Sequence, residues 1–411
     1  MRSAVAGLVL MLGLLFAVTA IAQQAPEMAA APPAGDSLRV SVLTFAPGLT
    51  YWQRFGHNAL LVETTATGAN AVYNYGMFDF FQKNFFLNFA RGHMLYRLDV
   101  DSLERTLALY ANEGRWVRQQ VLNLDSAQRL EIARALDRNA QPDQAQYRYD
   151  YFRDNCSTRV RDAVNRVLGG ALQAPLEAQA AGVSYRYEAT RLVTPIPLLM
   201  AGMDLIMGPA GDVPLNLWQQ SFVPEVFMQA LRTQRVDGQP VVLQENALFE
   251  DARSPVAPAA PLDLLPLTLA LGLLLGAALP LLAARRDQLV ARVGFAGIAT
   301  ALMALCTLGG LISLAVWTLT EHWVMWANRN LLLLPPLALL LLPAAIRSVS
   351  AGWQPRRWHA NLAVVFALAA LLTLPLSLLP GAQQHWTWIA LLLPMHLGFA
   401  VALRRLVKTR Y

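Results

Sequence analysis

The sequence predicts an α+β soluble domain followed by an α-helical membrane domain of about five transmembrane helices. The first 250 residues alternate between short strand-like runs and amphipathic helical patterns, which is typical of a mixed soluble fold. From Leu262 onward, long apolar stretches replace this alternation. The net charge changes sign at the same place, since residues 23–260 carry 21 basic and 24 acidic side chains, whereas the rest of the chain carries 12 and 3.

The N-terminus has the layout of a secretory signal. Arg2 precedes an apolar run that ends in a small-residue A-I-A sequence at Ala22, which predicts a signal peptide over residues 1–22. An uncleaved anchor helix is the alternative, and either outcome places the next segment outside the cytoplasm. Residues 23–35 are rich in proline and alanine and predict a flexible leader.

Residues 36–250 predict the soluble domain, which a linker over residues 251–261 joins to the membrane domain. Three runs predict strands: "SLRVSVLTF", "HNALLVETT" and "GANAVYNYG". The stretch "DSAQRLEIARALDRN" predicts an amphipathic helix capped by Asp125 or Ser126. A second helix is predicted for "STRVRDAVNRVLG", which ends at Gly169.

Five stretches within residues 262–411 are apolar and about as long as a bilayer-spanning helix requires. They predict transmembrane helices at residues 262–283, 293–318, 330–346, 361–380 and 386–403. With the soluble domain outside, the basic residues of this half fall on the inner side, except for Arg329, as the positive-inside rule requires. The excess of basic over acidic residues therefore indicates how the chain is oriented in a membrane, and no nucleic-acid partner is expected.

Cys156 lies in the polar stretch "FRDNCSTRVRD", directly before a predicted helix. The positive end of a helix and the nearby Arg153, Arg159 and Arg161 would stabilise a thiolate, so we expect an accessible thiol of lowered pKa. The alternative is a small buried residue that serves packing. The other cysteine, Cys306, lies in an apolar run, and the scattered cysteines and histidines predict no metal site.

A thiol nucleophile requires a base within hydrogen-bond reach. His57 opens a predicted strand directly after a glycine, so its ring can project from the sheet edge, and we prefer it to His93 in a phenylalanine-rich segment. The remaining histidines fall in or near the membrane part: His322, His359, His385 and His396. A third residue, which would fix the imidazole tautomer, could be Glu63, Asn74 or Asp79, and spacing does not decide among them.

Six motifs occur along the chain in an order that matches a known family. They are "FGHNALLV", "YNYGMFDF", "NFARGHMLYRL", "QQVLNL", "YDYFRDNCSTRVRD" and, in the membrane part, "EHWVMWANRNLLLLPPL". Together they resemble the Lnb-type lipoprotein N-acyltransferases. The resemblance implies a permuted papain-like (NlpC-like) thiol fold in which the histidine precedes the cysteine. It also implies Cys156 as the nucleophile and His57 as the base.

Further residues of these motifs are candidates for supporting roles. Asn155 and Arg159, next to the nucleophile, are candidates for orienting the site or supporting an oxyanion, beside the three acceptors named above. His322 and Asn328 match the membrane-proximal motif, and the resemblance assigns them no role.

The resemblance further implies an activity and its setting. A fatty acyl chain would move from a phospholipid to the Cys156 thiol and then to the N-terminal amine of a lipoprotein, without a cofactor. The protein would be a multi-pass protein of the bacterial inner membrane with its catalytic domain in the periplasm. Six phenylalanines lie within residues 78–89, and these would either hold the acyl chain or form ordinary core.

Two other functions are compatible with the residues. A membrane-tethered periplasmic cysteine peptidase or amidase acting on cell-wall peptides would use the same pair of side chains. It predicts a polar cleft and an activity that survives removal of residues 262–411. A non-catalytic membrane assembly protein predicts that Cys156 can become alanine without loss. About five spans are more than an anchor requires, which favours the acyltransferase.

Overall fold

The structure is a computed structural model that describes residues 35–78 and 81–408. The predicted signal peptide and nearly all of the predicted leader lie outside these residues, as does Asp79. The described chain forms an N-terminal lobe that combines a sheet with helices, followed by a helical C-terminal region. This arrangement confirms the predicted α+β domain and membrane domain at the level of fold class.

A seven-stranded antiparallel sheet organises the N-terminal lobe. Its strands are β1 Leu38–Phe45, β2 His57–Thr64, β3 Asn70–Met77, β4 Leu95–Asp101, β5 Val117–Leu122, β6 Gln146–Arg148 and β11 Val242–Phe249. The strand order is β11–β5–β1–β2–β3–β4–β6. Four shorter strands pair outside this sheet: β7 Ala180–Ser184 with β8 Pro214–Asn216, and β9 Arg235–Val236 with β10 Gln239–Pro240. The three predicted strand runs are confirmed as β1, β2 and β3.

The central strand β1 is buried along nearly its whole length because both faces of the sheet are covered. Val40 and Val42 point into one hydrophobic core, whereas Leu43 and Phe45 point into the other. The helices of the lobe are α1 Phe85–Arg91, α2 Leu103–Asn112, α3 Ser126–Asn139, α4 Cys156–Val167, α5 Gln173–Glu177, α6 Tyr185–Val193, α7 Pro197–Ile206, α8 Leu217–Gln220 and α9 Pro224–Thr233. Of these, α2 packs on one face of the sheet, and α3, α4 and α9 pack on the other.

Both predicted helices of the soluble domain are confirmed, and each begins with a capping box. Asp125 accepts a hydrogen bond from the Gln128 N–H at the start of α3, and Gln128 Oε1 accepts one from the Asp125 N–H. Asn155 and Thr158 repeat this arrangement at the start of α4. Such a cap stabilises a helix by about 1 kcal/mol. The start of α4 is therefore fixed by local sequence.

Four helices of the described chain are long and apolar enough to span a membrane. They are α10 Leu265–Ala284, α11 Leu289–Leu319, α13 Arg357–Leu376 and α14 Trp386–Lys408. The predicted third helix, residues 330–346, is absent as a continuous helix. Its place is taken by the 3₁₀ turns Arg329–Leu332 and Pro336–Leu340 and the short helix α12 Leu342–Arg347. The Pro335-Pro336 pair removes two backbone donors, which explains the break.

Irregular backbone at membrane depth requires burial within protein. Leu333 and Leu334 are fully buried in the membrane core. Gly310 of α11 permits this close approach, since a Cβ atom there would lie 2.1 Å from the Leu334 carbonyl oxygen. The segment thus packs directly against α11 on its way back through the helical region.

The inner end of this segment is tied to the loop between α10 and α11. Arg286 donates hydrogen bonds to the carbonyl oxygens of Trp353, Ser348 and Ser350 at 3.0, 2.9 and 3.2 Å. The irregular segment therefore returns the chain to the end at which α10 and α11 are joined. The described chain therefore has four of the predicted five spanning helices, and the fifth is replaced by this irregular segment.

The chain after α11 is built into the N-terminal lobe. Trp323 Nε1 donates to Asp150 Oδ2 at 2.7 Å, and the Arg153 guanidinium lies 3.6 Å from the centre of the Trp323 ring. Val324 is buried in one core with Phe152. The two regions therefore share a core at the outer end of α11, which couples the soluble lobe to the membrane helices.

Small residues set the distance between α10 and α14. A Cβ atom at Gly398 would lie 1.9 Å from the Gly276 carbonyl oxygen, and one at Gly272 would lie 2.2 Å from the Ala390 carbonyl oxygen. Close backbone approach is a main source of packing energy between membrane helices. This pair of helices therefore depends on glycine at the contact.

We expect Gly398→Ala to lower the melting temperature of the detergent-solubilised protein, because overpacking costs about 1–3 kcal/mol. Gly297→Ala in α11 is the matched control, since no atom lies within 4 Å of a Cβ atom placed there. Alanine at that open helical position should keep or slightly raise the melting temperature. Thermal unfolding followed by circular dichroism checks both, and equal melting temperatures would contradict the packing argument.

Candidate active site

Cys156 is the first residue of α4, where the N–H groups have no partners within the helix. Asn155 Oδ1 accepts the Thr158 N–H at 2.9 Å. The N–H groups of Cys156 and Ser157 interact with the Cys156 sulfur. The residue is 9 % exposed. Cys156 therefore lies at a helix N-terminus, as the sequence predicts, but below the surface.

Strands β2 and β3 form the wall opposite the helix. Gly76 of β3 has a φ of +85°, and a Cβ atom there would lie 3.4 Å from Cys156 Cβ. On β2, Asn58 Nδ2 donates to Ser157 Oγ at 3.0 Å, and Ser157 Oγ donates to the Ser221 carbonyl oxygen at 2.7 Å. The residue after the cysteine is thus bonded to the residue after His57.

The strand that carries His57 lies against the thiol, because the backbone N–H of the next residue, Asn58, interacts with the Cys156 sulfur. The His57 Nε2 atom is 3.2 Å from Asn74 Oδ1. Asn74 Nδ2 donates to the Val72 carbonyl oxygen at 3.4 Å, which orients the amide. Since Oδ1 only accepts hydrogen bonds, Nε2 carries the proton and Nδ1 is left free to act as a base.

The sheet register decides among the three candidates for the residue that fixes the imidazole. Asn74 contacts the ring directly. Glu63 lies six residues beyond His57 on the same strand, which is roughly 20 Å away at 3.3 Å per residue, and it pairs with Arg39 at 2.9 Å. Asp79 lies outside the described residues. Asn74 is therefore the acceptor that the described structure places at the imidazole.

Burial controls the titration of both groups. The pKa of His57 is lowered to about 4, mainly because burial disfavours the imidazolium, while the bond to Asn74 opposes this and the charge of Arg115 adds to it. Burial raises the pKa of the Cys156 thiol, against the opposing effects of nearby backbone N–H groups and Arg115. The expectation that the Cys156 thiol has a lowered pKa is therefore wrong. At neutral pH the resting pair is a thiol beside a neutral imidazole.

The flanking arginines do not produce the expected thiolate because their guanidinium groups are engaged elsewhere. Arg159 makes two hydrogen bonds with Asp154, at 2.6 and 2.7 Å. Arg153 and Arg161 each lie over a tryptophan ring, at 3.6 and 3.8 Å from its centre. The charge that does act on the site is the buried Arg115, which is distant in sequence.

Asn155 positions the helix, and its side chain is fully occupied by the backbone. Nδ2 donates to the carbonyl oxygens of Tyr151 and Phe222 at 3.0 and 2.9 Å, while Oδ1 accepts the Thr158 N–H. The Asn155 amide therefore donates to two backbone carbonyl oxygens, and Arg159 is held by its two bonds to Asp154.

Aromatic side chains lead away from the thiol. The Tyr149 ring lies 3.4 Å from the Cβ position of Gly76, which Cys156 also contacts. Tyr96 stacks on Tyr149 with ring centres 4.3 Å apart, and Phe78 follows Tyr96 at 5.2 Å. Phe85 of α1 then lies 6.1 Å from Phe78. We call these residues the aromatic wall: Tyr149, Tyr96, Phe78 and Phe85. These rings form a continuous series of contacts from the thiol to α1, within which Tyr96 and Phe85 are buried.

His322 and His93 both lie at the junction between the lobe and the membrane helices. His322 Nε2 donates to the Phe89 carbonyl oxygen at 3.0 Å, and its ring stacks on Tyr151 with centres 6.3 Å apart. His93 Nε2 is 2.8 Å from Glu321 Oε1, and the His93 side chain is 45 % exposed. His93 is therefore neither core, as its segment suggested, nor placed at the thiol.

Asn328 satisfies backbone groups at the end of α7. Its Nδ2 atom donates to the carbonyl oxygens of Leu205 and Ile206, both at 2.9 Å, and its Oδ1 atom accepts from Gln383 Nε2 at 2.9 Å. Its position therefore explains the motif as a joint between α7 and the membrane region. Within the described residues, no three His, Cys, Asp or Glu side chains are arranged to hold a metal ion.

Sequence reasoning missed three residues that build the site. Gly76 interrupts a strand pattern, and an isolated glycine in a strand signals a bulge or a close backbone approach. Asn58, next to the candidate base, is a fully buried amide, and its position after His57 was the available signal. Arg115 carried no local signal, because its distance from the site is set only by the pairing of distant strands.

Two domains of one known family match the chain. The Lnb N-terminal periplasmic domain matches residues 28–192, and the Lnb transmembrane domain matches residues 262–409. The chain belongs to the Lnb family. Cys156 and His57 both lie in the part that matches the periplasmic domain of this family, and α10 to α14 lie in its transmembrane domain. No curated protein and no solved structure matches the chain.

We expect the alkylation rate of Cys156 to rise only at pH values above the ordinary thiol pKa of about 8.5, because burial disfavours the thiolate. The measurement is iodoacetamide modification of the folded protein across a pH series, followed by mass spectrometry of the peptide that contains Cys156. A rate that is already maximal near neutral pH would indicate a preformed thiolate–imidazolium pair and contradict this expectation.

The acid limb of activity should report His57. The imidazole is a base only above its pKa of about 4, so kcat/KM for the substrate that reacts with the thiol should persist on acidification until that range and then fall. Asn74→Asp places a negative charge beside the ring, which should raise the His57 pKa and move the limb upward by about one pH unit or more.

The matched control for this shift is Asn70→Asp, which makes the same change on the same strand. Asn70 Oδ1 accepts the Leu103 N–H, away from the imidazole, and aspartate keeps that acceptor. Profiles of kcat/KM against pH for the three proteins check the assignment. An acid limb that does not move in Asn74→Asp would exclude His57 as the group that titrates.

Proposed function

We propose that the protein is a thiol-dependent acyltransferase that moves a fatty acyl chain from a phospholipid, through a thioester on Cys156, to the N-terminal amine of a lipoprotein. The observation that carries the proposal is the aromatic wall, which connects the thiol to α1 beside the membrane helices. A series of aromatic rings of this kind suits a fatty acyl chain, whereas a cell-wall peptide requires polar contacts. Membership of the Lnb family supports the same conclusion.

In the first half-reaction, His57 Nδ1 takes the proton of the Cys156 thiol as the sulfur attacks the ester carbonyl carbon of the phospholipid. The N–H groups of Cys156 and Ser157 donate to the resulting oxyanion, which is the usual means of stabilising such an intermediate. The ester C–O bond then breaks. The imidazolium gives its proton to the departing oxygen, so a lysophospholipid leaves with a free hydroxyl and Cys156 remains acylated.

In the second half-reaction, the neutral α-amine of the lipoprotein attacks the thioester carbonyl carbon. His57 accepts one proton from that amine, the C–S bond breaks, and the sulfur is reprotonated by the imidazolium. The products are an amide and a free thiol. Burial favours the uncharged forms of the amine, the thiol and the imidazole alike, so a neutral resting pair suits this chemistry.

Water competes with the amine for the thioester. The buried Cys156 and the rings of Tyr149 and Tyr96 leave little polar surface on this side of the sulfur. Exclusion of water from a closed site also strengthens the interaction of the oxyanion with its N–H donors. We therefore assign the aromatic wall a second role, which is to protect the acyl-enzyme from hydrolysis.

The proposal is tested by incubating the purified full-length protein with phospholipid alone. We expect one fatty acyl mass on Cys156 that hydroxylamine releases. Addition of a diacylated lipopeptide with a free N-terminal amine should remove that mass and acylate the amine. Intact-protein and peptide mass spectrometry measure both steps.

Matched variants separate the catalytic groups from other residues of the same type. Cys156→Ala should abolish acyl-enzyme formation, because no thioester can form without the thiol, and His57→Ala should slow it by at least about two orders of magnitude, as for other general bases. Cys306→Ala, in the membrane core, and His359→Ala, at the start of α13, should keep it. If Cys156 stays unmodified and a peptidoglycan stem peptide is cleaved instead, the acyltransferase proposal is wrong and the protein is a hydrolase.

A further inference from the structure

Large apolar side chains are exposed on the lobe around the end of the aromatic wall. Phe81 is 97 % exposed, Phe86 75 % and Leu87 48 %. On the loop between β1 and β2, Leu49, Tyr51 and Trp52 are also exposed. We call this set the aromatic face: Leu49, Tyr51, Trp52, Phe81, Phe86 and Leu87. Exposed apolar clusters of this kind mark contact surfaces rather than ordinary solvent-facing surface.

The aromatic face is continuous with the aromatic wall. Phe86 lies 5.3 Å from Phe85, the outer member of the wall, as measured between ring centres. Burial raises the pKa of Tyr96 and Tyr151, and Tyr51 lies near enough to add to both shifts. The two exposed segments therefore both border the aromatic wall.

Backbone contacts hold α1 at the outer end of a membrane helix. The Glu321 N–H donates to the Arg91 carbonyl oxygen at 2.8 Å, only two residues after α11 ends at Leu319. Gly92 closes α1 next to Glu321. A Cβ atom at Gly92 would lie 3.2 Å from the Glu321 carbonyl carbon, so a side chain there would press on Glu321. The level of α1 relative to the membrane is thus set by α11.

The side chains around this contact are those of a membrane interface. Trp317 and Trp326, on either side of Glu321 in the sequence, are exposed, and tryptophan is enriched where membrane proteins meet the headgroup layer. Lys83 and Arg91 are exposed beside the apolar residues of α1. Basic side chains at such a position can reach lipid phosphates while their neighbours enter the acyl region.

We propose that the aromatic face rests in the outer leaflet of the membrane that the protein spans, with Phe81, Phe86 and Leu87 inserted among the lipids. The lobe is then a second, peripheral membrane contact in addition to the spanning helices. A consequence, which rests on the proposed function, is that an acyl chain passes from the leaflet along the aromatic wall to Cys156 without crossing water.

The contact is tested without reference to catalysis by placing a fluorophore at one position on each side of the lobe. Leu87→Cys, in a Cys156→Ser background, is labelled with bimane in the full chain reconstituted in lipid nanodiscs. Leu243→Cys is the matched control, since Leu243 is 61 % exposed on β11, at the opposite edge of the sheet from β4 and β6. The background protein without an added cysteine measures labelling of the buried Cys306.

Spin-labelled lipids should quench the fluorophore at position 87 several-fold more than the one at position 243, and aqueous iodide should give the opposite order. Quenching of position 87 by iodide but not by lipid overturns the proposal. If position 87 is protected from iodide only at rising protein concentration, the occupant is a second copy of the chain. If it is protected only with added lipopeptide, the occupant is the acceptor. Either result overturns the proposal.

A second measurement links the contact to chemistry. The double variant Phe86→Asp, Leu87→Asp should slow acylation of Cys156 from nanodisc phospholipid by about tenfold or more, since charged groups insert poorly. It should leave acylation by a water-soluble short-chain thioester unchanged, as should Leu243→Asp with either donor. If lipid quenches position 87 but Cys156 is never acylated, the membrane contact is supported and the acyltransferase proposal is wrong. If nanodisc lipid acylates the double variant at the normal rate, the proposed membrane contact is wrong.

Discussion

The packing of the α4 N-terminus against β2 and β3 is the contact on which the rest of the site depends. Gly76 allows it, because a side chain at that position would meet Cys156 and Tyr149. The hydrogen bond between Asn58 and Ser157 then fixes the helix relative to the strand that carries His57. Cys156, His57 and the backbone N–H groups at the start of α4 are thereby held by regular elements rather than by loops, which favours precise geometry.

The same packing determines the charge state of the site. Taking a thiol and an imidazole out of water disfavours both charged forms, and this outweighs the stabilisation of a thiolate by a helix N-terminus. The buried Arg115 opposes the imidazolium but favours the thiolate. An uncharged thiol and an uncharged imidazole next to the aromatic wall suit the proposed transfer of an acyl group from the thiol to an uncharged amine. In that reaction the thiolate exists only transiently.

The lobe and the membrane helices form one structural unit because polar groups bind them at several points. Asn328, Gln383 and the end of α7 make buried hydrogen bonds that would each be costly to break. Trp323 and Asp150 add a further contact near the site. This joint sets the height of α1 and of the entrance to the aromatic wall, so the membrane region does more than anchor the lobe.

The sequence by itself determined the features that depend on neighbouring residues. Alternation predicted β1 to β3, capping residues predicted α3 and α4, and apolar length with charge asymmetry predicted the membrane region and its orientation. Motif order predicted the family, while the permuted papain-like assignment stays a prediction. Only the tertiary structure placed Asn74 rather than Glu63 at the imidazole, raised the thiol pKa, and replaced the third spanning helix by buried turns. Those outcomes depend on strand register and burial, which arise between residues far apart in the chain.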